Sequence, residues 1–220
     1  MKCFAEAYCQ KDKSSCSELC GGYRVLRALY NLSRIPENYR YNIALSAKEC
    51  DLLAFEALND YKEHILEKVE AGEGLYIWGK STGCGKTSWA CKVMSHYFRK
   101  IAFDTGIENE GLYIFLPTFL EDLRDSYDSK DPEFEQVLSM VKNCKLLIID
   151  DIGAERVTEW VRERMVSIIN TRTSNGLCTI YTSNLSPEEL TEELGERIAS
   201  RVLGSSQVVE IAGGDWRKYR

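Results

Sequence analysis

The segment Leu-Leu-Ile-Ile-Asp-Asp, residues 146–151, constrains the fold of this chain more than any other feature. Consecutive apolar residues of this kind are typical of a strand that is buried on both faces of a parallel sheet. Two carboxylates, Asp150 and Asp151, follow where this strand must end. Because ligands of open α/β sheets bind at the carboxyl ends of the strands, acids placed there predict a metal site.

A glycine-rich turn that ends in Lys-Thr lies upstream of the two acids. It follows an apolar stretch and precedes a helical pattern, which is the context that a phosphate loop requires. We predict that Lys86 reaches the β- and γ-phosphates of ATP and that the Thr87 hydroxyl binds Mg²⁺. The predicted ATP-binding residues are Ser81, Thr82, Gly83, Cys84, Gly85, Lys86, Thr87 and Ser88.

The loop departs from the usual pattern at its start. That pattern has four residues between its first glycine and Gly-Lys, whereas five lie between Gly79 and Gly85. Lys80 stands where the first glycine is expected. We therefore expect a loop that is one residue longer at its entrance.

The two acids have different expected roles. Asp150 is expected to bind Mg²⁺ directly or through water, as the corresponding acid of phosphate-loop NTPases does. Asp151 is expected to orient or polarise the attacking water, because both acids meet the phosphate loop at one edge of the sheet. The alternative for Asp151 is that it caps the turn into the next helix.

Apolar periodicity divides the rest of the chain. Helical spacing covers residues 17–32 and 49–70, and from residue 75 onward predicted strands alternate with predicted helices. This alternation predicts an α/β domain with a mainly parallel sheet of about five strands. We divide the chain into a cysteine-rich region (1–32), a linker packed along the next domain (33–48) and the α/β domain itself (49–220).

Composition excludes several classes of protein. A net charge of −6 gives no general attraction to nucleic acid, so any such contact must be local. No apolar run reaches the roughly 18 residues of a membrane span, and the first residues lack the apolar core of a secretory signal. We therefore expect a cytoplasmic protein without membrane partners and with reduced cysteines.

Four of the nine cysteines lie close together near the start of the sequence, at Cys3, Cys9, Cys16 and Cys20. Four thiolates suffice for a tetrahedral Zn²⁺ site, and metal stabilises a segment that is too short to form its own core. The spacing lacks a Cys-x-x-Cys pair, so free thiols in a flexible arm stay open as the alternative. No metal role is expected for Cys50, Cys84, Cys91, Cys144, Cys178, His64 and His96.

Two further segments extend the pattern beyond a phosphate loop and an acid pair. Thr-Ser-Asn at 182–184 ends an apolar strand, and Gly-Glu-Arg-Ile-Ala-Ser-Arg at 195–201 places two arginines on one helix face. Together with the Ile-Gly-Ala-Glu that continues the acid pair and a terminal Asp-Trp-Arg, these segments resemble the DnaC/DnaI/IstB-like AAA+ ATPases. The resemblance covers roughly residues 50–217. It implies an AAA+ three-layer α/β/α domain without a C-terminal lid.

The resemblance also implies roles for single residues. Asn184 matches the family's first sensor, and Arg201 matches the arginine finger that reaches the nucleotide of a neighbouring subunit, with Arg197 as a supporting candidate. These matches imply self-association through the ATP site and slow hydrolysis by one subunit alone. The alternative is that the arginines form surface salt bridges to Glu192 or Glu196.

By the same resemblance, the chain is expected to load a hexameric replicative helicase onto single-stranded DNA, with its cysteine-rich region docked on the helicase. Members of the family line their DNA path with the segment that corresponds to residues 116–141. Within it, Phe119, Arg124 and Tyr127 are candidates for contacts with bases or phosphates. An ordinary amphipathic helix pair is the alternative for that segment. Two other functions stay open, namely an IstB-like partner of a transposase and a binding module in which ATP acts only as a conformational switch.

Overall fold

The computed structural model describes residues 9, 16–40, 45, 51–103, 109–129, 132–154 and 158–214, the side chains of 127–129 excepted. Its centre is a five-stranded sheet with the strand order β2-β3-β4-β1-β5, in which all neighbouring strands are parallel. The strands are β1 (Gly74–Trp78), β2 (Gly111–Phe115), β3 (Leu146–Asp150), β4 (Cys178–Ser183) and β5 (Ser206–Glu210). The predicted parallel sheet is confirmed.

The strands are connected by helices, as the alternating pattern predicts. The described α-helices are α1 (Gly21–Leu32), α2 (Leu52–Glu63), α3 (Ile65–Ala71), α4 (Lys86–Ile101), α5 (Leu116–Ser129), α6 (Pro132–Asn143), α7 (Glu159–Ser174), α8 (Pro187–Leu194) and α9 (Glu196–Gly204). In the ranges given above, no helix is both long enough and apolar enough to cross a membrane.

Side chains that alternate along the strands divide the apolar core into two halves. Leu75 and Ile77 of β1 belong to a cluster with residues of α1, α2 and α4, whereas Tyr76 belongs to a second cluster with residues of α5, α6, α7 and α9. Successive residues of a strand point to opposite faces of the sheet, so each face carries its own layer of helices. This is the three-layer α/β/α arrangement that was predicted.

The packed core begins before residue 49, where the α/β domain was predicted to start. Leu26 and Tyr30 of α1 and the following Ile35 are fully buried in the same cluster as the strands. The Tyr113 N–H of the edge strand β2 donates to the Ser33 carbonyl (2.7 Å). The segment that follows α1 therefore packs along the edge of the sheet.

Two helices differ in extent from their prediction. α1 begins at Gly21 and not at residue 17, because the preceding residues form a turn that the Cys20 N–H closes on the Ser17 carbonyl (3.1 Å). The helix predicted over 49–70 is broken at His64, whose ring Nδ1 (2.9 Å) and backbone N (3.2 Å) both lie against the Asp60 carbonyl. A side chain that enters the helical hydrogen-bond ladder in this way interrupts it.

Candidate active site

The phosphate loop and the acid pair meet at the carboxyl edge of the sheet. β1 leads into the phosphate loop, and β3 ends at Asp150. β4 lies between these two strands. The polar end of β4, which includes Thr182, is therefore in position to contact both sides of the site.

The phosphate loop turns through two glycines with positive φ. Gly83 has φ of 77° and Gly85 has φ of 106°, a backbone region that is open to glycine and costly for most other residues. Gly85 is the N-cap of α4, so the loop runs directly into the first turn of this helix. The free N–H groups of a helix start favour phosphate.

The Lys86 ammonium is held inside the loop. Its Nζ donates to the carbonyls of Gly79 (2.9 Å) and Ser81 (3.0 Å), and it lies 3.5 Å from the Cys84 Sγ. These contacts place a buried positive charge at the centre of the glycine-rich turn. An ammonium in this place neutralises the charge of a bound phosphate.

Lys80, which replaces the expected glycine at the loop entrance, forms a salt bridge with Glu189 of α8. The same Glu189 carboxylate accepts the Ser186 N–H (2.8 Å) in a capping box at the start of α8. The loop entrance is thus connected to the helix that follows β4.

Hydroxyl groups from three different elements surround the Asp150 carboxylate. Its Oδ1 accepts from Thr87 Oγ1 of α4 (2.9 Å) and from Thr182 Oγ1 of β4 (2.6 Å), and its Oδ2 accepts from the Tyr113 phenol of β2 (2.7 Å). Burial, followed by the negative charge of Asp150, raises the pKa of Tyr113. The phenol therefore keeps its proton and acts as the donor.

The side chains of Asp150 and Thr87 fit Mg²⁺. Both supply hard oxygen ligands, which Mg²⁺ prefers, and these oxygens lie 2.9 Å apart. Asp150 is only 5% exposed, and within the described part of the chain its hydrogen-bond donors are hydroxyls, with no cationic side chain in a salt bridge. A buried carboxylate without a cation is costly, so this position favours a bound metal ion.

Asp151 adopts a left-handed backbone conformation, with φ of 64°. Its N–H donates to Thr182 Oγ1 (2.9 Å), and its Oδ1 accepts from Asn184 Nδ2 (3.1 Å). Burial, and then the nearby Asp150, raise the pKa of Asp151, while Lys86 opposes this effect. The N-cap of α7 is Thr158, which accepts the Val161 N–H, so Asp151 does not cap the next helix.

The two candidate arginines lie on α9, and neither contacts the acid pair or Lys86 within the described residues. Arg201 Nη1 donates to the Arg197 carbonyl (2.7 Å), and the Arg197 side chain is exposed. In the same part of the chain, no salt bridge joins either arginine to Glu192 or Glu196, contrary to the surface-pair alternative.

The structure contradicts one predicted DNA contact. Phe119 is 4% exposed and stacks on Phe134 with the ring centroids 5.6 Å apart, so its ring belongs to the core and is not available to bases. The Arg124 guanidinium lies 5.2 Å from the centre of the Trp160 ring. The side chain of Tyr127 lies outside the described residues.

The proposed zinc site lies partly outside the described residues, because Cys3 is not among them. Cys16 is exposed, and Cys9 and Cys20 are half-buried, all three as free thiols. Where the chain is described, no group of three or more His, Cys, Asp and Glu side chains is arranged to hold a metal ion. Cys91, Cys144 and Cys178, for which no metal role was expected, are buried in the core, and so is Cys84 of the phosphate loop. Cys50 and Glu155 lie outside the described residues.

Two residues of the site, Tyr113 and Thr182, were not predicted. Thr182 precedes Asn184 by two residues, so alternation along the strand was a usable signal for it. Tyr113 pairs with Ile148, and Asp150 follows two residues later on the same face of β3. The pairing register between β2 and β3 joins segments that are distant in the sequence, and no local pattern indicates it.

The sheet, the phosphate loop and the acid pair define a phosphate-loop domain of the AAA+ class. Comparison with known proteins identifies a family within this class. Residues 53–208 match the family described as the bacterial DnaA ATPase domain, and the chain belongs to that family.

Within this class the chain is similar to two helicase loaders. It is 34% identical over 140 residues to the replicative helicase loader DnaI of Bacillus subtilis (strain 168), a match that covers 63% of this chain and 42% of DnaI. It is 25% identical over 185 residues to the replicative helicase loader DnaC of Escherichia coli (strain K12), covering 84% of this chain and 68% of DnaC. The match thus spans less than half the length of DnaI.

The fold is also similar to a crystal structure of the DnaC helicase loader. The TM-score is 0.67 at 23% identity, and the match covers 80% of this chain and 99% of that one. The predicted AAA+ fold of the DnaC/DnaI type is confirmed.

Proposed function

We propose that this chain is an ATP-dependent loader that places a hexameric replicative helicase on single-stranded DNA during replication initiation. The observation that carries the proposal is the convergence of Lys86, Thr87, Asp150 and Asp151 at one sheet edge. It occurs in a chain similar to DnaI and DnaC, which are both named replicative helicase loaders. The partners are the helicase, single-stranded DNA and further copies of the chain, all in the cytoplasm.

The phosphate loop binds ATP in this proposal. The N–H groups around Gly83 and Gly85 donate to phosphate oxygens, and the Lys86 ammonium turns from the loop carbonyls to the β- and γ-phosphates. Thr87 and Asp150 hold Mg²⁺, which neutralises charge on the phosphates when it is bound.

Asp151 is the residue that positions water for hydrolysis. The water oxygen forms a bond to the γ-phosphorus, the bond from that phosphorus to the β–γ bridging oxygen breaks, and the Asp151 carboxylate accepts a proton from the water. Asn184 donates to Asp151 Oδ1 and orients the carboxylate. The raised pKa of Asp151 brings its basicity closer to that required of a general base near neutral pH.

Arg201 completes the site of a neighbouring copy. It lies on α9 without contact to the acids of its own chain in the described residues, which suits a cation that acts across a subunit boundary. An arginine supplied in this way stabilises the charge of the transferred phosphoryl group. Arg197 lies one helical turn before Arg201 and is the second candidate for this contact with the neighbouring copy.

The test measures ATP hydrolysis by single variants and by their mixtures. Lys86→Ala and Arg201→Ala are each expected to lower the rate about 100-fold or more, because each removes a cation from the reacting phosphates. A mixture is expected to recover activity, since the intact loop of Arg201→Ala then meets the intact Arg201 of Lys86→Ala. The control Arg164→Ala, a change in a half-exposed arginine of α7, is expected to keep the wild-type rate.

Two results contradict the proposal. If Lys86→Ala binds ATP as the wild type does, the phosphate loop is not the ATP site. If Arg201→Ala hydrolyses ATP at the wild-type rate, Arg201 is not part of the active site. Full helicase loading by Asp151→Asn without hydrolysis would favour a binding module in which ATP acts only as a switch.

A further inference from the structure

We propose that Tyr113 is a positioning residue that fixes the orientation of the Asp150 carboxylate toward the metal ion. The inference rests on the proposed ATPase function and goes beyond the residues of the phosphate loop and acid pair. Tyr113 lies in the middle of β2, and two strands, β3 and β4, separate it from β1, the strand that leads into the phosphate loop. Its phenol reaches the site along the face that β2 shares with β3.

The two oxygens of Asp150 are held differently. Oδ1 accepts from Thr87 and Thr182, whereas among the described residues Oδ2 accepts from Tyr113 alone. The torsion that rotates an aspartate carboxylate has broad minima, so bonds to one oxygen leave the plane of the group poorly fixed. The Tyr113 phenol supplies the second point that defines this plane.

Tyr113 is itself held firmly. Its ring is buried in the cluster beneath α4, and its position on β2 pairs with Ile148 of β3. On the other side of β2, its N–H donates to the Ser33 carbonyl (2.7 Å). A hydroxyl delivered from a strand that is fixed on both edges is a suitable outer partner for a metal ligand.

The alternative is that the bond only satisfies a buried phenol, and the chain contains a matched case for comparison. Tyr97 of α4 is buried in the same cluster, and its phenol donates to the buried Glu110 Oε2 (2.8 Å). Tyr113→Phe and Tyr97→Phe therefore remove the same hydroxyl from the same kind of bond. In the first variant alone, the carboxylate belongs to the metal site.

The test measures binding of a fluorescent ATP analogue in EDTA and during a Mg²⁺ titration, using the full chain. Tyr113→Phe is expected to raise the Mg²⁺ concentration for half-maximal effect about tenfold, because outer partners of metal ligands typically contribute this much to affinity. Its affinity in EDTA is expected to match the wild type. Tyr97→Phe is expected to match the wild type in both measurements, and thermal melting shows whether each variant is folded.

A wild-type Mg²⁺ requirement in Tyr113→Phe would overturn the inference, as would loss of folding in Tyr113→Phe but not in Tyr97→Phe. A wild-type chain whose binding of the analogue does not respond to Mg²⁺ would instead overturn the proposed ATPase site. The two failures are therefore distinguishable.

Discussion

Asp151 is held in a conformation that few residues of its type adopt. Its φ of 64° lies in the left-handed region, which costs on the order of 1 kcal/mol or more for a residue other than glycine. Thr182 holds the turn, since its Oγ1 accepts the Asp151 N–H and its carbonyl accepts the Ile152 N–H, both at 2.9 Å. Such strain, stored where chemistry is proposed, is expected of a residue that is kept for function and not for stability.

Replacing Asp151 by asparagine is therefore expected to abolish hydrolysis and to raise thermal stability near neutral pH. Asparagine tolerates the left-handed conformation at least as well and removes a partly buried charge that faces Asp150. Thermal melts of Asp151→Asn and wild type give the difference in Tm. The control Asp122→Asn alters an exposed aspartate of α5 and is expected to leave Tm unchanged.

The pH dependence of this difference follows from the raised pKa of Asp151. An acid whose pKa is higher in the folded state opposes folding when it is ionised, so its cost is present above the folded pKa and disappears below the unfolded value of about 3.9. The Tm advantage of Asp151→Asn should shrink as the pH falls toward that value. A lower Tm for Asp151→Asn at neutral pH would contradict this account.

Single residues of the site were predictable where their chemistry is local in the sequence. Lys86 and Thr87 follow a glycine turn, and the two acids follow an apolar strand, so short patterns identify all four. Tyr113 was not predictable, because its role depends on which residue of β3 it faces. Phe119 was wrongly assigned to a DNA contact for a related reason. The sequence pattern of an amphipathic helix is the same whether its aromatic residue packs in the core or contacts DNA.

At the scale of elements, α7 is anchored to the sheet by a buried arginine. Arg172 is 1% exposed, and its guanidinium donates to the carbonyls of Val141 and Cys144 and to the carbonyl of Cys178. Its Nε donates to Thr179 Oγ1 (2.9 Å). One side chain thus joins α7 to the end of α6 and to the start of β4. This contact lies at the amino ends of the strands, opposite the carboxyl ends that carry the acids.

Arg172→Met is expected to lower the free energy of unfolding by about 3 kcal/mol, because it leaves several buried carbonyls without donors. Denaturant unfolding measures the change. Arg164→Met makes the same substitution at a half-exposed position of the same helix and is expected to change stability by about 0.5 kcal/mol at most. Equal stability of the two variants would show that Arg172 does not anchor α7.

Elements were predictable in kind and less so in extent. β1, β3 and β4 are apolar runs bounded by turn residues, and each was predictable as a strand for that reason. The break at His64 was missed because the apolar spacing continues through it, from Tyr61 to Ile65. Periodicity records which face is buried, whereas the break depends on contacts with the Asp60 carbonyl.

At the scale of the whole molecule, the alternating pattern predicted a parallel sheet but not the order of its strands. That order places β4 between the strand that leads into the phosphate loop and the strand that ends at the acid pair. It also makes β2 an edge strand, whose Tyr113 N–H donates to the Ser33 carbonyl. The N-terminal segment is thereby connected through Tyr113 to Asp150. Long-range pairings of this kind have no local signal in the sequence.

Zinc binding by Cys3, Cys9, Cys16 and Cys20 stays a prediction from the sequence alone, because Cys3 lies outside the described residues and no metal-binding group is found within them. Metal analysis of the purified protein is expected to find about one Zn²⁺ per chain, because four thiolates complete a tetrahedral site. Cys16→Ser is expected to lose the metal, and Cys50→Ser, outside the cluster, is expected to keep it. Zinc-free wild-type protein would leave the alternative of free thiols.

The most direct measurement of the central claim is transfer of the replicative helicase of the source organism onto closed circular single-stranded DNA. Such a circle has no end, so the helicase enters it only if the ring is opened. With ATP, the wild-type chain is expected to raise the amount of helicase that co-elutes with the circle well above the amount for helicase alone, and Lys86→Ala is expected not to. Equal amounts with and without the wild-type chain, under conditions in which it hydrolyses ATP, would contradict the assignment as a helicase loader.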